Sequence, residues 1–295
     1  MGLAPPRSLS PSSSSSFKQC PLAFKFSYLD RLPEPPSVWT SKGTLVHRAL
    51  ELLLDRPPDE RTPDAAQADL AQARVELAPH PDFADLQLTD DEWEAFDRDA
   101  AKLVEKYFQL EDPRTIRPIG LELKLEAALP GSGTETGSNG MGGAVRLRGI
   151  IDRLELDEHG EFVVTDYKTG SVPSEFFEAK SLSGVHMYAL LCERMLGRRP
   201  ARVQLYYLSK PEAIIATPTD QSIKGVERRT TALYQAIRSA CERDDFRPKP
   251  GRLCDFCTFK PYCPSHGGDP LRAAELRGPG TGTELLVSAP LPLGA

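Results

Sequence analysis

The chain is short of several features that would assign it to a class outright. No apolar run approaches the length of a membrane span, so no transmembrane helix is expected. The Pro/Ser-rich start carries no apolar core of the kind a signal peptide needs, and the protein is expected in the cytoplasm. No G-x4-G-K-[ST] phosphate loop occurs, which excludes a P-loop motor within these residues. Positive charge is also scarce, with 36 Lys and Arg against 42 Asp and Glu and a net charge of -6. Any binding of a polyanion must therefore come from a local basic patch or a bound cation rather than from the overall charge.

What is present is ordinary globular material. The 295 residues are 40% hydrophobic and 26% charged, enough for one large domain or two small ones with an ample core. Six cysteines in a cytoplasmic chain are not expected to form disulfides. They point instead to metal binding, catalysis or core filling.

The most informative stretch runs from Leu147 to Gly170 and reads as two strands joined by a tight turn. Strand residues alternate faces, so Asp166 and Lys168 point the same way. A three-residue loop, Glu158-His159-Gly160, with Gly160 left-handed, places Asp152 directly opposite Asp166. Two carboxylates and an ammonium then share one patch at a strand end. Hard oxygen ligands so arranged suit Mg²⁺ or Mn²⁺, with the lysine beside them to hold a water or a developing negative charge. The bland alternative is a solvated hairpin with one Lys–Asp pair. Against it stand the apolar runs Gly149-Ile150-Ile151 and Phe162-Val163-Val164, which suggest a strand buried on both faces. A buried carboxylate pair needs a cation.

In chain order, residues 1–8 are expected to be disordered. A helix follows with Ser10 as N-cap and Pro11 in its first turn, carrying Phe17, Cys20, Phe24 and Tyr28 inward until Pro33, Pro35 and Pro36 end it. A second helix covers about 42–54 and places His47 one turn from Glu51, its structural partner if the histidine does no chemistry. Residues 56–115 read as a helical insertion without evident chemistry. A strand at about 119–129 contains Glu122, placed to reach the acidic patch or to face solvent. A Gly/Ser-rich loop follows at 131–143. After the hairpin come a helix (174–196, stopped by Gly197), a strand (201–209) and a helix (222–241). This is an α+β core with one small mixed sheet: helix, three-strand meander, helix, strand. Residues 267–295 read as a flexible tail.

Near the end, Cys254, Cys257 and Cys263 follow a C-x2-C-x5-C-P pattern in a loop, poor material for a core. Zinc or an iron–sulfur cluster fits, with His266 or Cys20 as the fourth ligand. Cys192 and Cys241 lie on helix faces and read as core. Arg247, Lys249, Arg252 and Lys260 crowd the same loop against Asp255 alone.

Together, Gly43-Thr44-Leu45-Val46-His47, Gly149-Ile150-Ile151-Asp152-Arg153, Asp166-Tyr167-Lys168 and the cysteines resemble a RecB-family nuclease of the PD-(D/E)XK superfamily. The likeness runs from Leu9 to Pro264 and is to the RecB-like exonucleases, including the stand-alone CRISPR-associated ones and the nuclease domain of AddB-type proteins. It implies a restriction-endonuclease-like single domain over 9–266, with a Cys-rich segment at 247–266 joined to Cys20. His47, Asp152, Asp166 and the Tyr167 carbonyl would bind Mg²⁺ or Mn²⁺. Lys168 would position the attacking water, and Tyr188 would complete the catalytic set. Cys20, Cys254, Cys257 and Cys263 would hold a [4Fe–4S] cluster (alternatively Zn²⁺), leaving His266 outside. Arg247, Lys249, Arg252 and Lys260 would contact DNA. One departure stands out: the family's Gln, four residues before the tyrosine, is Gly184 here, with His186 as a stand-in. The implied activity is metal-dependent exonucleolytic hydrolysis of single-stranded DNA from its ends, in repair or recombination. A helicase or CRISPR adaptation proteins are the implied partners. The competing readings are a catalytically silent DNA-binding module with a cluster and a zinc-stabilised adaptor.

Overall fold

Residues 3–129, 145–173 and 175–276 are described by a computed structural model. The Gly/Ser-rich loop expected at 131–143 lies outside them. In chain order the elements are β1 (Ser8–Leu9), α1 (Pro11–Gln19), α2 (Pro21–Phe24), α3 (Val38–Asp55), α4 (Pro63–Leu77), α5 (Pro81–Ala84) and α6 (Asp90–Tyr107). They continue with β2 (Pro118–Ala128), β3 (Arg146–Leu156), β4 (Phe162–Lys168), α7 (Glu175–Leu196), β5 (Arg202–Tyr207), β6 (Glu212–Ala216), α8 (Asp220–Arg243) and α9 (Pro270–Glu275).

The strands form one mixed sheet ordered β1-β3-β4-β5-β6, with β2 also on β3. β2 runs antiparallel along β3 from Pro118↔Glu155 to Ala128↔Arg146 and so occupies one whole edge. β4 and β1 share the other edge. β4 pairs with its C-terminal part as far as Arg153↔Thr165, and β1 pairs with Arg146 and Leu147. Between those two pairings the β3 edge is open, and Asp152 lies in the opening.

The hairpin has the three-residue loop read from the sequence. Asp157 N–H donates to the Glu161 carbonyl at 3.0 Å, and Gly160 has φ 74, a left-handed value glycine adopts without a Cβ penalty. On one face of the sheet, Ile151, Leu154, Val164 and Leu205 pack with Leu190 and Leu191 of α7, Ile237 of α8 and Phe24 of α2. On the other, Tyr167, Tyr206 and Leu208 pack with α3, α4 and α6. The insertion over 56–115 therefore supplies most of one helical layer.

Four expectations change. Residues 1–8 do not all lie outside the fold: Leu3 N–H donates to the Cys241 carbonyl at 2.9 Å, and Ser8 begins β1. A two-residue strand has no periodicity to read. The first helix is not continuous, because Cys20 sits at φ -156, ψ 107 between α1 and α2. Pro21 is the cause, since a residue before proline is pushed out of the α region. β6 adds an antiparallel edge strand that the sequence reading did not include. The tail begins with packed structure: Gly268 and Asp269 donate to the carbonyls of Cys263 and Pro261, and Ala273 of α9 is buried. Residues 277–295 lie outside those described.

α7 crosses β3 closely at Gly149. A Cβ there would lie 2.9 Å from both Tyr188 Cε1 and Leu191 Cδ1. Gly149→Ala must displace Tyr188 and Leu191, and overpacking of this kind costs about 1–3 kcal/mol. Denaturant unfolding should show a loss of that size, and an unchanged midpoint would contradict the packing described.

Candidate active site

Three adjacent strands each carry one carboxylate to the open edge of β3. The pairs Leu121↔Arg153 and Leu123↔Ile151 set Glu122 opposite Asp152. Continuing the register of Arg153↔Thr165 by one step sets Asp152 opposite Asp166. The ladder between β3 and β4 has ended at that step, so the Tyr167 peptide groups are free of β3. Side chains take them instead. Tyr167 N–H donates to Asp152 Oδ2 at 2.7 Å, and the Tyr167 carbonyl lies 3.0 Å from His47 Nε2.

A carbonyl can only accept, so a hydrogen bond here uses a proton on Nε2, and the tautomer that makes it leaves the Nδ1 lone pair for a ligand. Nδ1 faces Asp152 Oδ2 at 3.6 Å and Glu122 Oε1 at 4.0 Å. Ligand atoms of His47, Glu122 and Asp152 all lie within 4.8 Å of one another. The donors are one imidazole nitrogen and carboxylate oxygens, a set suited to Mg²⁺ or Mn²⁺ in a site with a hydrogen-bonded outer shell. The residues present fit such an ion.

Electrostatics say the same. Burial, followed by the charge of Asp152, pushes Glu122 up to about 7. Burial outweighs the nearby His47 and, with Asp166, pushes Asp152 up to about 6. These acids are crowded, and a divalent cation held between them would supply the opposite charge.

Asp166, 4% exposed, is held differently. Lys168 Nζ rests on its Oδ2, and the Tyr188 hydroxyl hydrogen-bonds to it. Burial opposes the Lys168 charge, but Asp166 and Asp152 outweigh it and raise its pKa. The shift favours the ammonium form of Lys168, a hydrogen-bond donor. Burial and the charge of Asp166 likewise hold the Tyr188 hydroxyl well above its ordinary value.

Relative to expectation, His47, Asp152, Asp166, Lys168 and Tyr188 are brought together. The Tyr167 carbonyl, expected as a ligand, lies within hydrogen-bond distance of His47 Nε2 and helps to orient the ring. Glu122 joins the donor set, a placement that the sequence left undecided. Its backbone has φ 45, a left-handed value rarely taken by a residue with a side chain. No sequence pattern announces such a kink within a strand. At Gly184 the nearest contact for a Cβ is Pro11 of α1 at 3.9 Å, and His186 Nδ1 lies 2.8 Å from the Leu182 carbonyl in its own helix.

Arg153 was also missed. It is fully buried and bridges Glu111, Glu155 (Nε to Oε2, 3.0 Å), the Tyr167 hydroxyl (2.7 Å) and Thr165 Oγ1 (3.0 Å). An arginine next to an apolar run in a strand buried on both faces was the available signal, because such a charge must find acids. The arrangement fixes Tyr167 from its ring end while His47 and Asp152 hold its peptide.

The cysteines form a second site. Cys20, Cys254, Cys257 and Cys263 line one cavity of about 640 Å³ with Phe26, Tyr28 and Phe259. His266, expected to stand apart, borders it too. Cys20 Sγ accepts from Lys249 N–H at 3.4 Å and Cys254 Sγ from Gly251 N–H at 3.3 Å. Burial, then the neighbouring thiols, push the Cys257 thiol up despite a backbone hydrogen bond from Phe259. Cys192 and Cys241 are buried in the core. The expected basic platform is partly occupied by its own surroundings. Arg247 pairs with Asp245 at 3.1 Å, Lys249 Nζ donates to the Lys18 carbonyl, and Lys260 Nζ donates to the Asp255 carbonyl.

A mixed sheet whose strands part around a carboxylate–histidine centre, with a lysine at its side, defines a restriction-endonuclease-like fold with a candidate divalent-metal site. The chain belongs to the PD-(D/E)XK nuclease superfamily, whose pattern matches residues 8–264. The Gene 69 protein of Mycobacterium phage L5 is 28% identical over 123 residues, 41% of this chain and 40% of that protein. The chain thus matches well under half the length of that relative. A candidate exonuclease from Eubacterium rectale, known from its crystal structure, shares the fold with a TM-score of 0.51 and 12% identity, covering 85% of this chain and 87% of that one. No described helix is long and apolar enough to cross a membrane.

Two variants test the site. Folded Glu122 keeps to about pH 7 a proton that the unfolded chain releases near 4.5, so the stability it contributes falls as pH rises through that window. In chelator, Glu122→Gln should be more stable than wild type at about pH 7.5 and indistinguishable at about pH 4. Mn²⁺ should raise the melting temperature of the wild type and not of the variant. The reverse order in chelator would contradict the crowding. Arg153→Met leaves Glu111 and Glu155 buried without their cation, and removing one partner of a buried ion pair costs about 3–5 kcal/mol. A denaturant midpoint like that of the wild type would rule out the buried network.

Proposed function

We propose that the protein is a divalent-metal-dependent deoxyribonuclease of RecB type, acting as an exonuclease on the ends of single-stranded DNA in repair or recombination. The observation that carries this reading is the convergence of His47, Glu122 and Asp152 within 4.8 Å, beside the Asp166–Lys168 pair. A bound Mg²⁺ or Mn²⁺ would neutralise phosphate charge and acidify a bound water. The chain's residues would do the rest. Glu122, Asp152 and His47 Nδ1 would hold the ion, with Asp166 alongside. Lys168, as a fixed ammonium, would orient the nucleophilic water and stabilise charge growing on the phosphoryl oxygens. Tyr188, still protonated, would hold Asp166 in place through its hydroxyl. A helicase or CRISPR adaptation proteins would supply the strand ends.

The four cysteines are assigned to a [4Fe–4S] cluster in this reading. Support comes from the shared cavity and from the backbone N–H groups aimed at two sulfurs.

Asp152→Ala, Asp166→Ala and Lys168→Ala should each remove several kcal/mol of transition-state stabilisation and slow Mn²⁺-dependent cleavage at least about a hundredfold, with the fold intact. Wild-type rates in any folded variant would overturn the site. Purified protein should carry iron with visible charge-transfer absorption, lost in Cys20→Ser. Stoichiometric zinc without iron would replace the cluster by a single ion.

A further inference from the structure

The substrate reading above leaves open how a strand is held outside the metal site, and α3 carries an unused aromatic there. Trp39 is 77% exposed, while the other tryptophan, Trp93, is covered by the Arg74 guanidinium at 4.0 Å and the Phe96 ring. Trp39, Gly43 and His47 follow at i, i+4 and i+8 and run up one side of the helix. His47 reaches the carboxylates. A Cβ on Gly43 would lie 3.3 Å from Thr169 Oγ1, so this side of α3 meets the chain just after Lys168. Trp39 stands one turn further on, about 12 Å along the axis from His47.

The ring is also set in position. Lys42 Nζ lies 4.9 Å from its centroid, and Lys42, itself buried, is tied to Asp99 at 3.3 Å. One side of the indole therefore carries a fixed ammonium and the rest is open. A flat apolar face beside a positive charge, at the rim of a centre for phosphodiester cleavage, matches an unpaired base with its phosphate. Bases inside a duplex are stacked on each other and offer no such face.

Resting on the nuclease reading, we propose that Trp39 is the stacking platform for an unpaired base of the substrate strand and makes the site select single strands over duplex. The test compares wild type, Trp39→Ala and Trp39→Phe on a single-stranded oligonucleotide, a blunt duplex and a dinucleotide, with Mn²⁺. Trp39→Ala should raise KM for the oligonucleotide about 5- to 160-fold with kcat little changed. Trp39→Phe should recover most of the loss, and neither the duplex nor the dinucleotide, too short to reach the ring, should respond. In a Trp93→Phe background, a non-cleavable phosphorothioate oligonucleotide should quench the Trp39 emission. Equal losses on all three substrates, or no loss on the oligonucleotide, would overturn the proposal while leaving the nuclease standing. A wild type that cleaves no DNA would instead remove the nuclease reading. In that case the quenching experiment still decides, since an unaltered emission rules the platform out.

Discussion

The two backbone groups of Tyr167 hold the site together. In an unbroken ladder they would pair with β3. Here β3 and β4 part after Arg153↔Thr165, and the freed N–H and carbonyl bind Asp152 and His47 instead. One peptide segment thereby fixes a carboxylate from a neighbouring strand and the tautomer of a histidine from a helix. Because α3 belongs to the opposite layer, this contact also ties helix to sheet where the chemistry would occur. An unpaired buried peptide group is expensive, which gives the splayed strands a reason to recruit polar side chains.

Behind that segment, Arg153 anchors the Tyr167 ring. Its acids come from two directions, Glu155 from β3 and Glu111 from the end of the helical insertion. The insertion therefore does more than cover a sheet face, because it sends a carboxylate under the site. The same economy holds at the other end of the molecule. Cys20 is turned outward by the proline after it and meets the C-terminal cysteines, so the first helices and the last loops close around one cavity.

Much of this was legible in the residues. The hairpin register follows from a three-residue loop ending in glycine, and that register sets Asp152 opposite Asp166. Ser10-Pro11 marked a helix start that the structure retains. Glu122 could not be placed, since its position depends on a left-handed residue within β2. β1 escaped because two residues carry no period, and the break at Cys20 because a helical pattern was allowed to run through a proline.

The account stands on a cation bound between β2, β3 and α3. Its most direct test is the anomalous difference density of a crystal soaked in Mn²⁺. A peak bonded to His47 Nδ1 and to carboxylate oxygens of Glu122 and Asp152, with His47 Nε2 still on the Tyr167 carbonyl, is the predicted result. Density at another place, or none there at saturating Mn²⁺, would contradict it.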